Sequence, residues 1–451
     1  MMLLLWQIGL LGILAPKILC LMMRYDGDQV LQIIPQTPEQ VHQLQELCEA
    51  WPLDLWKPHL PESIYEKAKV HIRVPVSVLQ QIKDSLLQNR IPFQVLIKNV
   101  KELWDSDTVR NPGKYQFSLS NYNYTRYHPM EDIYQWMNQI KEEYSHLVTQ
   151  NYLGATYESR PMYFLKISQP SDKPKKIIWM DCGIHAREWI SPSFCQWFVK
   201  EILKSYQSNP KLSKAIQNID FYVLPVLNID GYVYSWTTDR LWRKSRSPHD
   251  NGTCYGTDLN RNFNAQWCTV GADSFCSSEA FCGTSPDSEP ETKAITSFIE
   301  SQKSDILCYL SIHSFGQFIL IPYGYSVQPA SNHDELMKVA ETATAALKEK
   351  HGTDFEVGPF STVLYKASGT SQDWVYDLGI NLSFTLELRD NGTFAFELPE
   401  DQIQSTCEET MAAVMTIIEY VDEKYFKNNA VTVTSSTLWL SILLSASRNT
   451  A

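Results

Sequence analysis

His185-Ala186-Arg187-Glu188-Trp189 follows an apolar, strand-like run, Ile177-Ile178-Trp179-Met180-Asp181, across the short turn Cys182-Gly183-Ile184. Asp181 and Gly183 suit that turn. The pattern predicts a strand that delivers His185 and Glu188 at its carboxyl end, where sites gather in open α/β sheets. Imidazole nitrogen and carboxylate oxygen are both good zinc ligands. Alone, H-x-x-E is a weak signal, because the two residues stand three apart on many solvated surfaces. A second run changes the odds. Residues 305–312 are mostly apolar and lead into His313, then Ser314-Phe315-Gly316. A histidine, a glutamate and a distant histidine supply the three protein ligands of a catalytic zinc and leave a fourth position for water.

Working outward, residues 221–227 read as a buried strand, and residues 289–302, 334–350 and 402–425 have helical periodicity. From about Lys114 onward strands and helices alternate. This predicts an α/β fold with a mixed, largely parallel sheet and helices on both faces. Residues 24–110 read as a separate unit. Strand-like runs at 29–34, 70–74 and 93–97 alternate with two helices. Thr37-Pro38-Glu39-Gln40 is a capping box that opens the first, with Val41, Leu44 and Leu47 on one face. Val78, Ile82, Leu86 and Leu87 lie along the second. The order suggests a ferredoxin-like α+β sandwich. Residues 105–113 form a polar, turn-rich linker suited to proteolytic nicking.

The chain has 451 residues, enough for more than one domain, and a formal net charge of −12. The charge is spread along the chain without a long acidic or basic run, which argues against a nucleic-acid partner. The first fifteen residues are mostly apolar. The run is short for a membrane span and fits a secretory signal, although it lacks a basic start. After Lys427, small polar residues, a Ser/Thr-rich spacer and a short apolar stretch resemble the signal for a GPI anchor. Against this, the tail is short and ends polar; a disordered end is the alternative. Four N-x-S/T sequons start at Asn123, Asn251, Asn381 and Asn391. Asn251, in a polar stretch, is the best glycosylation candidate. Asn381 is expected to be unused, because it opens a strand taken to lie beside the site. Ten cysteines are present, and four of them, Cys254, Cys268, Cys276 and Cys282, crowd one stretch that allows three connectivities.

H-A-R-E-W, L-W-R-K, D-L-N-R-N-F, S-I-H-S-F-G, L-Y-K-A-S-G and E-L-R-D stand in the order and spacing of the zinc metallocarboxypeptidases of the A/B type, and the chain resembles that family from roughly residue 25 to residue 425. The resemblance implies a signal peptide at 1–20, an inhibitory propeptide at 21–110, a peptidase domain at 115–427 and a tail at 428–451. It implies disulfides Cys182–Cys195, Cys254–Cys276 and Cys268–Cys282, with Cys48, Cys308 and Cys407 left over. It implies one Zn²⁺ held by His185, Glu188 and His313, with Asp258 behind the first histidine. Glu387 would be the general base and Arg243 the oxyanion stabiliser. Asn260 and Arg261 would hold the substrate's terminal carboxylate, Tyr365 would close over it, and Arg187 would serve the next subsite. The partners implied are peptide and protein C-termini, with an activating protease; a membrane enters only through a lipid anchor.

In the family, the position of Gln372 decides which C-terminal side chain is accepted. An aspartate there suits basic side chains, an aliphatic residue apolar ones and an arginine acidic ones. Gln372 departs from all three. Its amide N–H₂ is expected to serve glutamate or glutamine as a donor, helped by the hydroxyls of Thr370 and Thr385. Acidic or polar C-terminal residues should therefore be favoured over apolar ones, and basic ones last, since a buried unpaired cation is costly. The alternatives are an apolar preference, an endopeptidase, and a binding protein of the same fold without catalysis. The carboxylate clamp speaks against the second, and the complete ligand set with Glu387 against the third.

Overall fold

The structure is a computed structural model that describes residues 25–103 and 118–427. The signal-like run, the linker around Arg110 and the anchor-like tail lie outside the described residues. No described helix is long and apolar enough to cross a membrane.

The first unit runs β1 (Gln29–Ile33), α1 (Pro38–Ala50), β2 (Asp54–Lys57), β3 (Val70–Val74), α2 (Leu79–Gln88) and β4 (Phe93–Ile97). Its sheet has the order β2-β3-β1-β4 with every pairing antiparallel, the ferredoxin-like arrangement expected. Half of the capping box forms as expected: Thr37 Oγ1 accepts from Gln40 N at 3.2 Å, while Gln40 Oε1 accepts at 2.7 Å from Gln36 N, one residue before the N-cap, instead of from Thr37 N. Leu44 of α1 and Ile82 and Leu86 of α2 bury against Leu31, Ile33, Ile72 and Val74 of the sheet.

The second unit begins with α3 (Met130–Glu143), β5 (Val148–Ala155), β6 (Pro161–Ile167), β7 (Lys176–Cys182), α4 (Ile190–Ser205), α5 (Pro210–Asn218), β8 (Ile219–Leu224) and α6 (Ile229–Thr237). A two-residue pair, β9 (Pro248–His249) and β10 (Cys254–Tyr255), leads to α7 (Pro290–Gln302), β11 (Ile306–Ser314), β12 (Phe318–Ile321) and α8 (His333–His351). The chain closes with β13 (Glu356–Pro359), α9 (Phe360–Val363), α10 (Ser371–Asp377), β14 (Leu382–Leu388) and α11 (Ile403–Asp422). The eight-stranded sheet has the order β13-β12-β14-β11-β7-β8-β6-β5. Its centre, β14-β11-β7-β8, is parallel. β12 joins β14 antiparallel, and β6 and β5 are antiparallel at the other edge. The sheet is therefore mixed with a parallel middle. All seven residues of β14 are buried, as a central parallel strand requires.

The strand expected over 221–227 ends at Leu224 instead. Pro225 has no N–H to donate to a ladder. Beyond it, Leu227 N donates to Cys182 O at 2.9 Å and Asn228 N to Gly183 O at 3.0 Å. Those two bonds brace the turn that carries His185. The same turn is closed from the other side by the Cys182–Cys195 disulfide; Cys254–Cys276 and Cys268–Cys282 also form, and Cys48, Cys308 and Cys407 are free and buried. Asn381 is exposed and immediately precedes β14, the end opposite Glu387, so it does not lie beside the site.

Candidate active site

His185 and Glu188 follow the carboxyl end of β7, and His313 lies near the carboxyl end of β11, two strands that pair in parallel. Their ligand atoms meet. His185 Nδ1 is 2.7 Å from Glu188 Oε1, His313 Nδ1 is 3.3 Å from Glu188 Oε2, and the two Nδ1 atoms are 3.2 Å apart. A tetrahedral zinc with bonds near 2.0 Å has ligand-to-ligand edges of about 3.3 Å, so the spacing fits that ion. The donors fit as well. Asp258 accepts from His185 Nε2 at 3.2 Å. An ionised carboxylate only accepts, so the His185 proton sits on Nε2 and its Nδ1 offers a lone pair. Ligand atoms of His185, Glu188 and His313 thus converge in a buried space, an arrangement that a divalent cation would fill.

The electrostatics agree. Burial lowers the His185 pKa, and Arg243 lowers it further, which keeps the ring neutral and able to ligate. Burial alone would raise Glu188, but His185 and His313 outweigh it and hold the carboxyl far below its ordinary value. Asp258 is likewise held well below its usual range, with Arg243 and His185 overcoming its burial. Arg243 reaches Asp258 Oδ2 through Nη2 at 2.7 Å and Nε at 3.1 Å, with Nη1 3.9 Å from Glu188. One carboxylate therefore orients both the first histidine and Arg243, the arginine expected to face a developing oxyanion.

Glu387 is the register partner of His313 across the β11/β14 ladder. Burial pushes its carboxyl up to about 7 against the pull of His313, a value suited to taking and returning a proton near neutrality. Asn260 and Arg261 lie on the short turn after Asp258, whose side chain accepts from Asn260 N at 2.9 Å. Arg261 Nε donates to Gly271 O at 2.7 Å and Nη1 to Asn260 O at 2.8 Å, while Nη2 is buried with no partner. That leaves one buried guanidinium donor without a protein partner. Asn260 Oδ1 accepts from Ser371 N at 2.9 Å, which ties the clamp to the start of α10.

Two expected site residues face something other than open space. Tyr365 meets the edge of His59 at 5.6 Å between ring centres. Arg187 lies 4.2 Å over the ring of Phe396, with Nη1 3.6 Å from Asp54 Oδ1. His59 and Asp54 both belong to the first unit. Sequence reasoning missed that Trp56, Lys57 and His59 line the catalytic cavity beside His185, Arg243, Arg261 and Glu387. Trp56 packs edge-on against Phe315 at 6.4 Å and Phe396 at 5.2 Å. Asp54 is fixed from behind, its Oδ2 accepting from Trp56 Nε1 at 2.9 Å and Arg73 Nε at 3.2 Å. The cavity that remains is about 30 Å³, room for a water but not for a peptide residue.

At Gln372 the amide is turned the other way from expectation. Nε2 donates to Leu320 O at 3.0 Å, and the buried Oε1 has no partner. A flipped amide would set carbonyl against carbonyl, so the bond fixes the orientation. What is left over is the Oε1 acceptor and the second N–H of Nε2, one N–H being committed to Leu320 O.

Comparison with known proteins gives a consistent outcome. Residues 133–413 match the zinc carboxypeptidase model, and residues 31–107 match the carboxypeptidase activation peptide model. The chain is 62% identical to carboxypeptidase O of Bos taurus over 328 residues, which is 72% of this chain and 88% of that protein. It is 43% identical to carboxypeptidase B of Rattus norvegicus over 402 residues, 89% of this chain and 95% of that protein. The crystal structure of thrombin activatable fibrinolysis inhibitor superposes with a TM-score of 0.83 at 42% identity, covering 88% of this chain and 99% of that one.

Proposed function

The chain belongs to the zinc carboxypeptidase family and is a metallocarboxypeptidase carrying an activation peptide, and from that premise we propose that it is a latent exopeptidase that removes single polar or acidic residues from peptide C-termini. The observation that carries the exopeptidase reading is the buried, unpartnered Nη2 of Arg261 beside the convergent His185, Glu188 and His313. An internal peptide bond offers no carboxylate for it.

A bound zinc ion polarises the scissile carbonyl and eases deprotonation of water. His185, Glu188 and His313 are the residues that would hold it, one ion per chain. The chain's own groups do the rest. Arg261 and Asn260 fix the terminal carboxylate with charge-assisted hydrogen bonds and so set the last peptide bond in register. Glu387 Oε takes a proton from the attacking water and gives it to the departing amine. Arg243, steadied by Asp258, offers N–H donors where negative charge grows on the carbonyl oxygen. Tyr365 closes over the bound residue once His59 has left. The absence of a carboxylate at Gln372 supports the low rank given to basic side chains. The three disulfides support a secretory route. The direct test compares a free-acid peptide with its amidated twin. Only the free acid should be cleaved; equal rates would refute the clamp.

Latency follows from Trp56 and Asp54. Cutting within residues 104–117 should raise activity about tenfold or more, because the plug then loses the high effective concentration that the linker gives it. Trp56→Ala should act without a cut. Removing a buried tryptophan costs about 3–5 kcal/mol of packing, here at Phe315 and Phe396, so the uncut chain should gain basal activity. The readout is kcat/KM of the uncut variant against the uncut wild type. Equal values would mean that the first unit serves folding or docking instead.

A further inference from the structure

The buried polar atoms without partners near the clamp include Arg261 Nη2 and Gln372 Oε1. One is a donor and the other an acceptor. They are linked by a short path: Asn260 Oδ1 accepts from Ser371 N at 2.9 Å, and Gln372 is the next residue. The sheet fixes how far Gln372 lies from the chemistry. Its Nε2 bonds to Leu320 O, and Leu320 is the register partner of Thr385 on β14. Its own carbonyl accepts from Ser383 Oγ at 3.0 Å. Side chains alternate along a strand, so Ser383, Thr385 and Glu387 share one face. The Gln372 amide is therefore held about 7 Å along that face from the level of Glu387, a distance that a side chain of two or three methylenes can cross.

We infer that the side-chain pocket selects a C-terminal residue ending in a neutral N–H donor, and glutamine above all. This rests on the carboxypeptidase reading and narrows its polar-or-acidic preference. A C-terminal glutamine would satisfy both orphans, its terminal carboxylate taking Arg261 Nη2 and its side-chain N–H₂ taking Gln372 Oε1. Glutamate has the same shape, but it can use only the second Nε2 N–H of Gln372 and leaves Oε1 unpaired beside its own carboxylate oxygens. Methionine has the length and leaves the acceptor unpaired. Arginine has donors but brings a charge that no carboxylate at Gln372 neutralises.

The test uses the zinc-loaded full chain, cut in its linker, with otherwise identical peptides ending in Gln, Glu, Met and Arg. On wild type, kcat/KM for the Gln peptide should exceed each of the others by about tenfold. Gln372→Leu should lower the Gln peptide by about tenfold and raise the Met peptide, since no acceptor is then left unpaired beside the apolar side chain. Glu or Met equal to or better than Gln on wild type would overturn the inference. So would a Gln372→Leu variant that loses all four peptides in parallel, since that marks a structural role. Cleavage of none of the free-acid peptides would refute the carboxypeptidase reading itself, a separate outcome.

Discussion

His313→Ala yields a protein that holds no stoichiometric zinc and has lost its peptidase activity. His313 Nδ1 and His185 Nδ1 stand 3.2 Å apart with Glu188 bridging both. Alanine leaves two protein ligands where a catalytic zinc needs three. Losing even a residue that merely orients a zinc ligand costs about 10- to 100-fold in affinity or activity, so loss of a ligand should exceed about 100-fold. Metal content by atomic absorption and kcat/KM on a free-acid peptide should fall together. Folding should persist, because His313 sits within β11, which keeps its ladders to β7 and β14. A chelated wild type should behave like the variant and recover when zinc is returned; the variant should not recover at stoichiometric zinc. Full activity in a metal-free wild type would end the zinc assignment.

Glu387→Gln separates binding from chemistry. The substitution keeps shape and removes the site that shuttles the proton. Zinc content and KM should stay close to wild type, while kcat falls by about 10²–10⁴. The electrostatic setting makes the residue hard to replace. Glu387 is buried, and that burial, joined by Glu188, raises its carboxyl to about 7 against the pull of His313 and Arg243. A glutamine there carries no proton acceptor of comparable basicity. Near-normal turnover would move the general-base role to another group. A fall in zinc content along with kcat would show that Glu387 also helps to hold the ion.

The central sheet and the convergent triad could be read from the chain because each depends on short-range pattern. Apolar runs ending in His185 and His313 place both residues at strand ends whatever the loops do, and Glu387 inside an apolar run signals a carboxylate kept for use. The plug could not be read this way. β2 is four residues long, and Asp54 and Lys57 in it are charged, so its local signal is that of a loop. Its importance comes only from meeting Phe315, Phe396 and Arg187, contacts more than a hundred residues away in sequence. Arg187 shows the same limit from the other side. The sequence identified a guanidinium in a named motif, but its companion Asp54 lies on another unit. At Gln372 the residue type was plain, while the direction of its amide was set by Leu320 O, a partner that no spacing rule supplies.

The rung shared by His313 and Glu387 has an evolutionary consequence. The proposed ligand and the proposed base are locked together by the backbone ladder between β11 and β14, so their separation is inherited with the sheet and tolerates drift in everything around it. Gln372 sits apart, on a seven-residue helix held by Thr370 at its start and by bonds to Leu320 and Ser383. If Gln372 selects the C-terminal side chain as proposed, a duplicated copy of such a protein would change its diet by one substitution on that helix while its cutting machinery stays intact, a route by which one ancestral peptidase can diversify into many.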